Sequence, residues 1–280
     1  MKTLDKIVQT LIINGTITEQ PGLYYGKTGI AVFFFHFSRQ TGNGLFHEIA
    51  IELIDEIQKQ LTFNLSSRYD IGLPGIGVGF EYFLQNGFIE TENSDFFDDF
   101  DERMNRIVMN EPFSDLSIEG GLSGCGRYFI YRLQGKGKKN NLLHKSLKHI
   151  SNKISQKIEK NDVLENEQPD VFRFLHDMVS IPEYAEKNEK LLFMCREWKC
   201  IQNPNFQKIF PLMGNVQRLY AFQNYFNMDL TEEIDKEWEK WKVSENKALI
   251  DIGLMNGWAS EGMLYLTTFN NLGISWLNLI

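Results

Sequence analysis

Five glycine-rich turns, each running into a short apolar stretch, recur along the chain at a regular spacing. They read Gly22–Gly29 (GLYYGKTG), Gly72–Gly79 (GLPGIGVG), Gly120–Gly126 (GGLSGCG), Pro211–Gly214 (PLMG) and Gly253–Gly257 (GLMNG). Their anchoring glycines, Gly26, Gly75, Gly124, Gly214 and Gly257, stand 49, 49, 90 and 43 residues apart. The long gap holds two periods, with a degenerate repeat near Asp170–Met178. About six repeats of about 46 residues, each a helical pair, follow from that period. Glycine fits such a turn because it tolerates positive φ and lets chain segments approach closely.

Two kinds of helix alternate with the turns. Leu4, Ile7, Val8, Leu11 and Ile12 form one apolar stripe at helical period. Phe46, Ile49, Leu53, Ile57 and Leu61 form a second, and Leu143, Leu147, Ile150, Ile154 and Ile158 a third. Each has a charged face opposite, as on a helix at a protein surface. The other kind is apolar nearly all round: Ile30–Phe37, Val78–Leu84, Arg127–Leu133, Val171–Val179 and Met263–Phe269. Such a helix must be surrounded by protein. Buried helices inside amphipathic ones predict an all-α chain, an α/α toroid of about six hairpins over residues 1–280, taken as a single domain. The glycine turns would share one face, where a ligand would meet the protein. The polar stretches Gly135–Lys139 and Lys160–Pro169 read as solvated connections.

Composition narrows the function classes. The chain has 29 basic and 37 acidic residues and a net charge of −8, which argues against a nucleic-acid binder. No apolar run approaches the roughly 18 residues a bilayer span needs. Asp5, Lys6 and Gln9 interrupt what a signal peptide would require. Three cysteines make no disulfide framework, and a reducing cytoplasm is the simplest expectation.

The apolar helices opened by leucine-and-glycine turns resemble the lanthionine synthetase C-like family. Gly22–Phe37, Ile71–Glu90, Glu119–Leu133 and Asp251–Phe269 carry the resemblance, which spans nearly the whole chain. It implies a role in a peptide-modification pathway, acting on a peptide or beside a partner modification enzyme. Cyclising members of the family hold zinc with two cysteines and one histidine and activate a peptide thiol. At the matching turns this chain has Leu212-Met213-Gly214 and Phe174-Leu175-His176-Asp177, so the resemblance supplies no metal ligands and no cofactor is expected. A further family histidine matches Ser123-Gly124. Cys195 and Cys200, if on one continuous helix, would point about 140° apart and share no metal. The function expected is therefore that of a family member without the zinc-dependent cyclase site. Two alternatives are a non-catalytic peptide-binding scaffold and a carbohydrate-active enzyme using paired carboxylates.

Several residues could carry chemistry. His176, with Asp177 and Asp170, could act as a general base, or be a buried structural histidine. Cys125, at a helix start, could be an activated thiol, or a small residue in a tight turn. Glu81 and Glu261 lie within apolar helices and are candidates for a cavity, as paired carboxylates are in glycosidases. Asp70, Glu119 and Asp251 flank the turns and read as helix caps. Tyr24, Tyr25, Lys27, Asn215, Asn256 and Trp258 would form a rim suited to an extended peptide, or be ordinary loop residues. His36, amid phenylalanines, reads as a core histidine, and His47, His144 and His149 as structural or exposed.

Overall fold

The computed structural model describes residues 2–61, 65–90, 97–135, 141–202, 209–226, 228–240 and 251–280, with side chains from residue 4. In chain order the helices are α1 (Lys2–Ile17), α2 (Lys27–Thr41), α3 (Gly44–Gln60), α4 (Leu73–Gln85), α5 (Asp98–Asn110), α6 (Leu122–Gln134) and α7 (Asn141–Glu159). They continue with α8 (Gln168–Val179), α9 (Pro182–Met194), α10 (Lys199–Gln202), α11 (Asn215–Phe226), α12 (Thr231–Lys240) and α13 (Trp258–Asn270). Short 3-10 turns cover Cys195–Glu197 and Ile274–Leu279. The fold is all-α; the described residues contain no strand. Residues 136–140 of the basic loop lie outside the described residues.

Two compact units divide the chain. One comprises Met1–Leu65 and Leu212–Ile280, the other Ser66–Pro211. In the first, α2 pairs with α3 and packs on α13, which also meets α1. In the second, α4 packs on α6, and α6 meets α7 and α8. Three of the five all-round apolar stretches, in α2, α4 and α6, are enclosed as hydropathy placed them, whereas α8 exposes His176 and α13 exposes Phe269, so each of these two keeps one open face. Every residue of α2 from Lys27 to Ser38 is buried, as is α4 from Leu73 to Phe83. By contrast α3 buries only Ala50, Leu53, Ile54 and Ile57, one stripe of an amphipathic helix.

The repeat is sharper in the structure than in the glycine spacing. Its register is set by the residue capping each buried helix: Gly26, Gly72, Gly121, Glu167, Gly214 and Gly257. The caps are therefore Gly72 and Gly121, three residues before the anchors read from sequence. In four repeats the first helical N–H donates to the carbonyl seven residues earlier: Lys27 to Gln20, Leu73 to Ser66, Leu122 to Asp115 and Trp258 to Asp251, at 2.7–3.0 Å. This bond closes a tight loop whose backbone passes directly under the cap.

Close approach, not positive φ, is why glycine caps these helices. Gly26, Gly72, Gly121 and Gly257 have φ between −98° and −139°. A Cβ on Gly26 would sit 2.7 Å from the Gln20 carbonyl carbon, and one on Gly72 2.6 Å from that of Ser66. A second glycine, five residues past the cap, lies against a ring seven past the next cap. A Cβ would run into the ring of Tyr128 at Gly77, of Phe174 at Gly126 and of Phe33 at Gly262. The degenerate repeat keeps this register through Phe174. Its cap, Glu167, replaces lost turn backbone with a carboxylate: Glu167 accepts the Leu116 N–H and Asp170 the Ile118 N–H, both at 2.9 Å.

Candidate functional site

The loops before α11 and α13 bring three of the expected residues together. Asn215 opens α11, Asn256 precedes the Gly257 cap of α13, and Glu261 lies one turn into α13. They line one pocket of about 260 Å³, together with Gln217, Ser260, Glu237 and Lys240. Glu261 is only 7% exposed, while Asn215 and Asn256 are exposed at the opening. Asn256 adopts the left-handed conformation at φ 52°, which asparagine tolerates better than most residues.

Gln217 ties the two helices into one wall. Its Oε1 accepts the Gly214 N–H at 2.9 Å, half of a capping box, and its Nε2 donates to Ser260 Oγ at 2.6 Å. The opposite side is charged. Asn215 Nδ2 donates to Glu237 at 3.3 Å, and Lys240 lies 3.7 Å from the same carboxylate. The cap register exposes why this place differs. Three residues past the cap stand Gly29, Gly75 and Gly124, then Asp170, Gln217 and Ser260. The small residue that keeps the first repeats closed gives way to polar side chains here. The change from glycine to Gln217 and Ser260 shows only when the count starts from the caps, because the anchors Gly75 and Gly124 stand three residues past theirs. Glu237 and Lys240 lie on a charged amphipathic helix, and nothing in the sequence separates them from its other charges.

The other expected residues lie outside this pocket. Glu81 is 2% exposed and its carboxylate meets Arg132 at 2.9 Å and Gln85 at 3.2 Å. Arg132 also pairs with Asp101 at 3.0 Å, and the Tyr128 hydroxyl donates to Asp101 at 2.6 Å. Burial raises the Glu81 carboxyl above its ordinary value, with Gln85 and Arg132 opposing. Glu81 is thus one member of a buried ion network, not a cavity acid.

His176 is exposed, so it is not the buried structural histidine. Its expected companions face elsewhere: Asp177 lies 3.9 Å from the buried Arg127, and Asp170 is committed to Ile118. Cys125 is fully buried, its thiol 3.6 Å from the Ser67 carbonyl, and burial pushes that thiol well above the ordinary range. Burial outweighs the helix end, so this is no activated nucleophile.

Of the remaining rim, Tyr24 and Trp258 are buried, with Lys6 5.4 Å from the Trp258 ring. Lys27 is buried against Glu56. Tyr25 alone of these four reaches solvent, at 37% exposure. It stays beside the pocket's loops, because the Met255 N–H donates to the Tyr24 carbonyl at 3.0 Å. The cap residues Gly26, Gly72, Gly121 and Gly257 have no side chain to cap with, and Asp70, Glu119 and Asp251 are not themselves cap residues. Asp70 instead binds Arg68 and the Ile71 N–H, and Glu119 and Asp251 contribute backbone carbonyls. His36 is a core histidine, its pKa lowered to about 4 by burial and by Arg39.

A zinc ion of the cyclase kind needs a set of soft donors. Every cysteine and histidine of the chain is among the described residues, and no three His, Cys, Asp or Glu side chains there converge to hold a metal. Cys195 and Cys200 do not share a continuous helix, because the chain breaks at Cys195–Glu197 and turns extended at Trp198. Burial pushes their thiols up to about 12 and about 11. At the matching turn Leu212 is exposed and Met213 buried. These residues do not fit a zinc centre. Among the described residues no helix is long and apolar enough to cross a membrane. No family model matches the chain, and no curated protein does.

Proposed function

We propose that this chain is a lanthionine synthetase C-like protein of a peptide-modification pathway that holds a peptide at its glycine turns without the zinc-dependent cyclisation step. The observation that carries the reading is the convergence of Asn215, Asn256 and Glu261, from two successive turns, on one pocket. Side-chain amides at an opening can donate to and accept from a peptide backbone at once, which suits an extended chain. The exposed Tyr25 adds an aromatic surface on the adjoining loop. The repeated seven-residue loop closure supports the family likeness, since it makes the leucine-and-glycine turns one device used in four places. The paired-carboxylate enzyme loses its first member, because Glu81 is held by Arg132.

The test is retention of synthetic peptides rich in serine, threonine and cysteine, in unmodified and dehydrated forms, on the immobilised protein. The expected result is retention with the free-thiol count of the eluted peptide unchanged. Thiol addition to a dehydrated residue is isomeric, so thiol alkylation is the readout that detects it. Protein-dependent loss of thiols would contradict the non-cyclising reading. No retention of any peptide would remove the peptide reading altogether.

A further inference from the structure

We infer that the exposed face of α7, with Lys187 of α9 beside it, docks a short acidic segment of a protein partner. The inference goes beyond the peptide reading above and does not rest on the α11–α13 pocket. All its residues belong to the Ser66–Pro211 unit.

The order of charges along α7 is the first argument. This helix buries Leu143, Leu147, Ile150, Ile154 and Ile158, and turns Lys145, Lys148 and the half-buried Lys153 toward solvent. At 100° per residue the three lysines lie within an arc of about 140°. Elsewhere exposed lysines are answered one turn away: Lys190 by Glu186 at 2.6 Å and Lys236 by Glu232 at 3.4 Å. On α7 no residue three or four places from Lys145, Lys148 or Lys153 is acidic. Lys145 with Lys148, and Lys153 with Lys157, are like-charge neighbours instead, an arrangement that weakens a helix. Lys157 is paired with Asp162, whereas none of the ion pairs among the described residues involves Lys145, Lys148 or Lys153.

The neighbouring helix adds to the same stripe. Lys187 Nζ donates to Asn152 Oδ1 at 2.9 Å and to Ser151 Oγ at 3.3 Å, both neutral groups of α7. Burial lowers the Lys187 ammonium below its ordinary value, with Glu159 opposing and Lys148 adding to the shift. An amide and a hydroxyl thus hold a further cation beside Lys148, in a chain whose net charge is −8. The limits of the stripe select its occupant. Glu183 stands 3.0 Å from His144 before it, and Asp162 stands on Lys157 after it. From Lys145 to Lys153 the helix rises about 12 Å, the reach of about four extended residues. A nucleic-acid duplex or an anionic bilayer would also cover the flanking carboxylates. A short run of aspartate or glutamate would lie between them and supply the acceptors that ammonium groups need.

The test titrates labelled probes with the full chain at low ionic strength, where exposed charges are least screened, and reads fluorescence anisotropy. The probes are capped hexaglutamate, capped hexaglutamine, a single-stranded oligonucleotide and vesicles of anionic lipid. Hexaglutamate should bind and hexaglutamine should not. Replacing Lys145, Lys148 and Lys153 together by Gln should weaken hexaglutamate at least about tenfold, since each exposed charge pair contributes modestly and the three act on one segment. Lys236→Gln, on α12, should leave binding unchanged. Carbodiimide cross-linking of the parent protein to hexaglutamate needs no variant, and its cross-links should map to Lys145, Lys148, Lys153 or Lys187. Cross-links centred on Lys59, Lys190 or Lys199, or a triple variant that binds like the parent, would overturn the inference. So would lysine-dependent binding of the oligonucleotide or the vesicles that is tighter than that of hexaglutamate, since the occupant would then be a nucleic acid or a membrane. No binding of hexaglutamate would overturn it outright.

Discussion

Adding one methyl group at Gly26 should cost far more than adding it at Gly44, a few turns away in the same unit. At Gly26 a Cβ would lie 2.7 Å from the Gln20 carbonyl carbon and 2.8 Å from the Gly22 nitrogen. Both are backbone atoms, so neither can step aside as a side chain would. The loop must open, and the bonds that close it go with it. They are the Lys27 N–H to Gln20 at 2.9 Å, the Thr28 N–H to Pro21 at 3.2 Å and the Thr28 hydroxyl to Pro21 at 2.5 Å. At about 1 kcal/mol net for each bond, Gly26→Ala is expected to destabilise by about 2–4 kcal/mol. At Gly44, the first residue of α3, a Cβ meets nothing within 4 Å and φ is not positive. Gly44→Ala should therefore stabilise by about 0.5 kcal/mol, through helix propensity and a less flexible unfolded chain. Urea unfolding, read as midpoint and slope, compares the two variants with the parent. If Gly26→Ala stayed within about 0.5 kcal/mol of the parent, or the two substitutions cost the same, close approach would not be what demands glycine at the caps.

Other consequences are as specific. Arg132→Met would leave Asp101 and Glu81, 1% and 2% exposed, buried without their counter-ion, and urea unfolding should show a loss of about 3–5 kcal/mol. His36 gives an acid-linked loss: its pKa falls from 6.5 to about 4 on folding, so the unfolded chain binds more protons between those values. Its contribution is present above pH 6.5 and disappears as pH falls to about 4, amounting to about 3 kcal/mol, and His36→Gln should lack that part of the slope. All three cysteines are buried, so iodoacetamide should label Cys125, Cys195 and Cys200 in urea and spare them in the native protein, as mass spectrometry would read.

The sequence carried the fold well because its signals are local. An all-round apolar run such as Ile30–Phe37 has only one stable setting, and it is buried in α2 as expected. The amphipathic stripes of α3 and α7 are buried along the faces read from their period. The site was harder to read, because Glu81 and Glu261 look alike in sequence, each a lone carboxylate in an apolar helix. What separates them is Arg132, 51 residues after Glu81 and brought to it only by the packing of α4 on α6. Burial likewise decides Cys125 and Lys27. A turn that sounds exposed in sequence is closed beneath its neighbours, and both side chains go inward with it. The glycines themselves gave the right period, but Gly75 and Gly124 stand three residues past the caps, since two glycines, Gly72 with Gly75 and Gly121 with Gly124, serve one turn.

Hydrogen exchange with and without a retained synthetic peptide tests the proposed binding face most directly. Amide exchange reports which backbone groups are covered or rigidified. A peptide seated at the α11–α13 pocket should slow exchange at residues 212–217 and 253–261, with Gly214→Leu abolishing the effect. Protection confined to Ser66–Pro211, or unchanged by Gly214→Leu, would place the peptide elsewhere and contradict a turn-borne site.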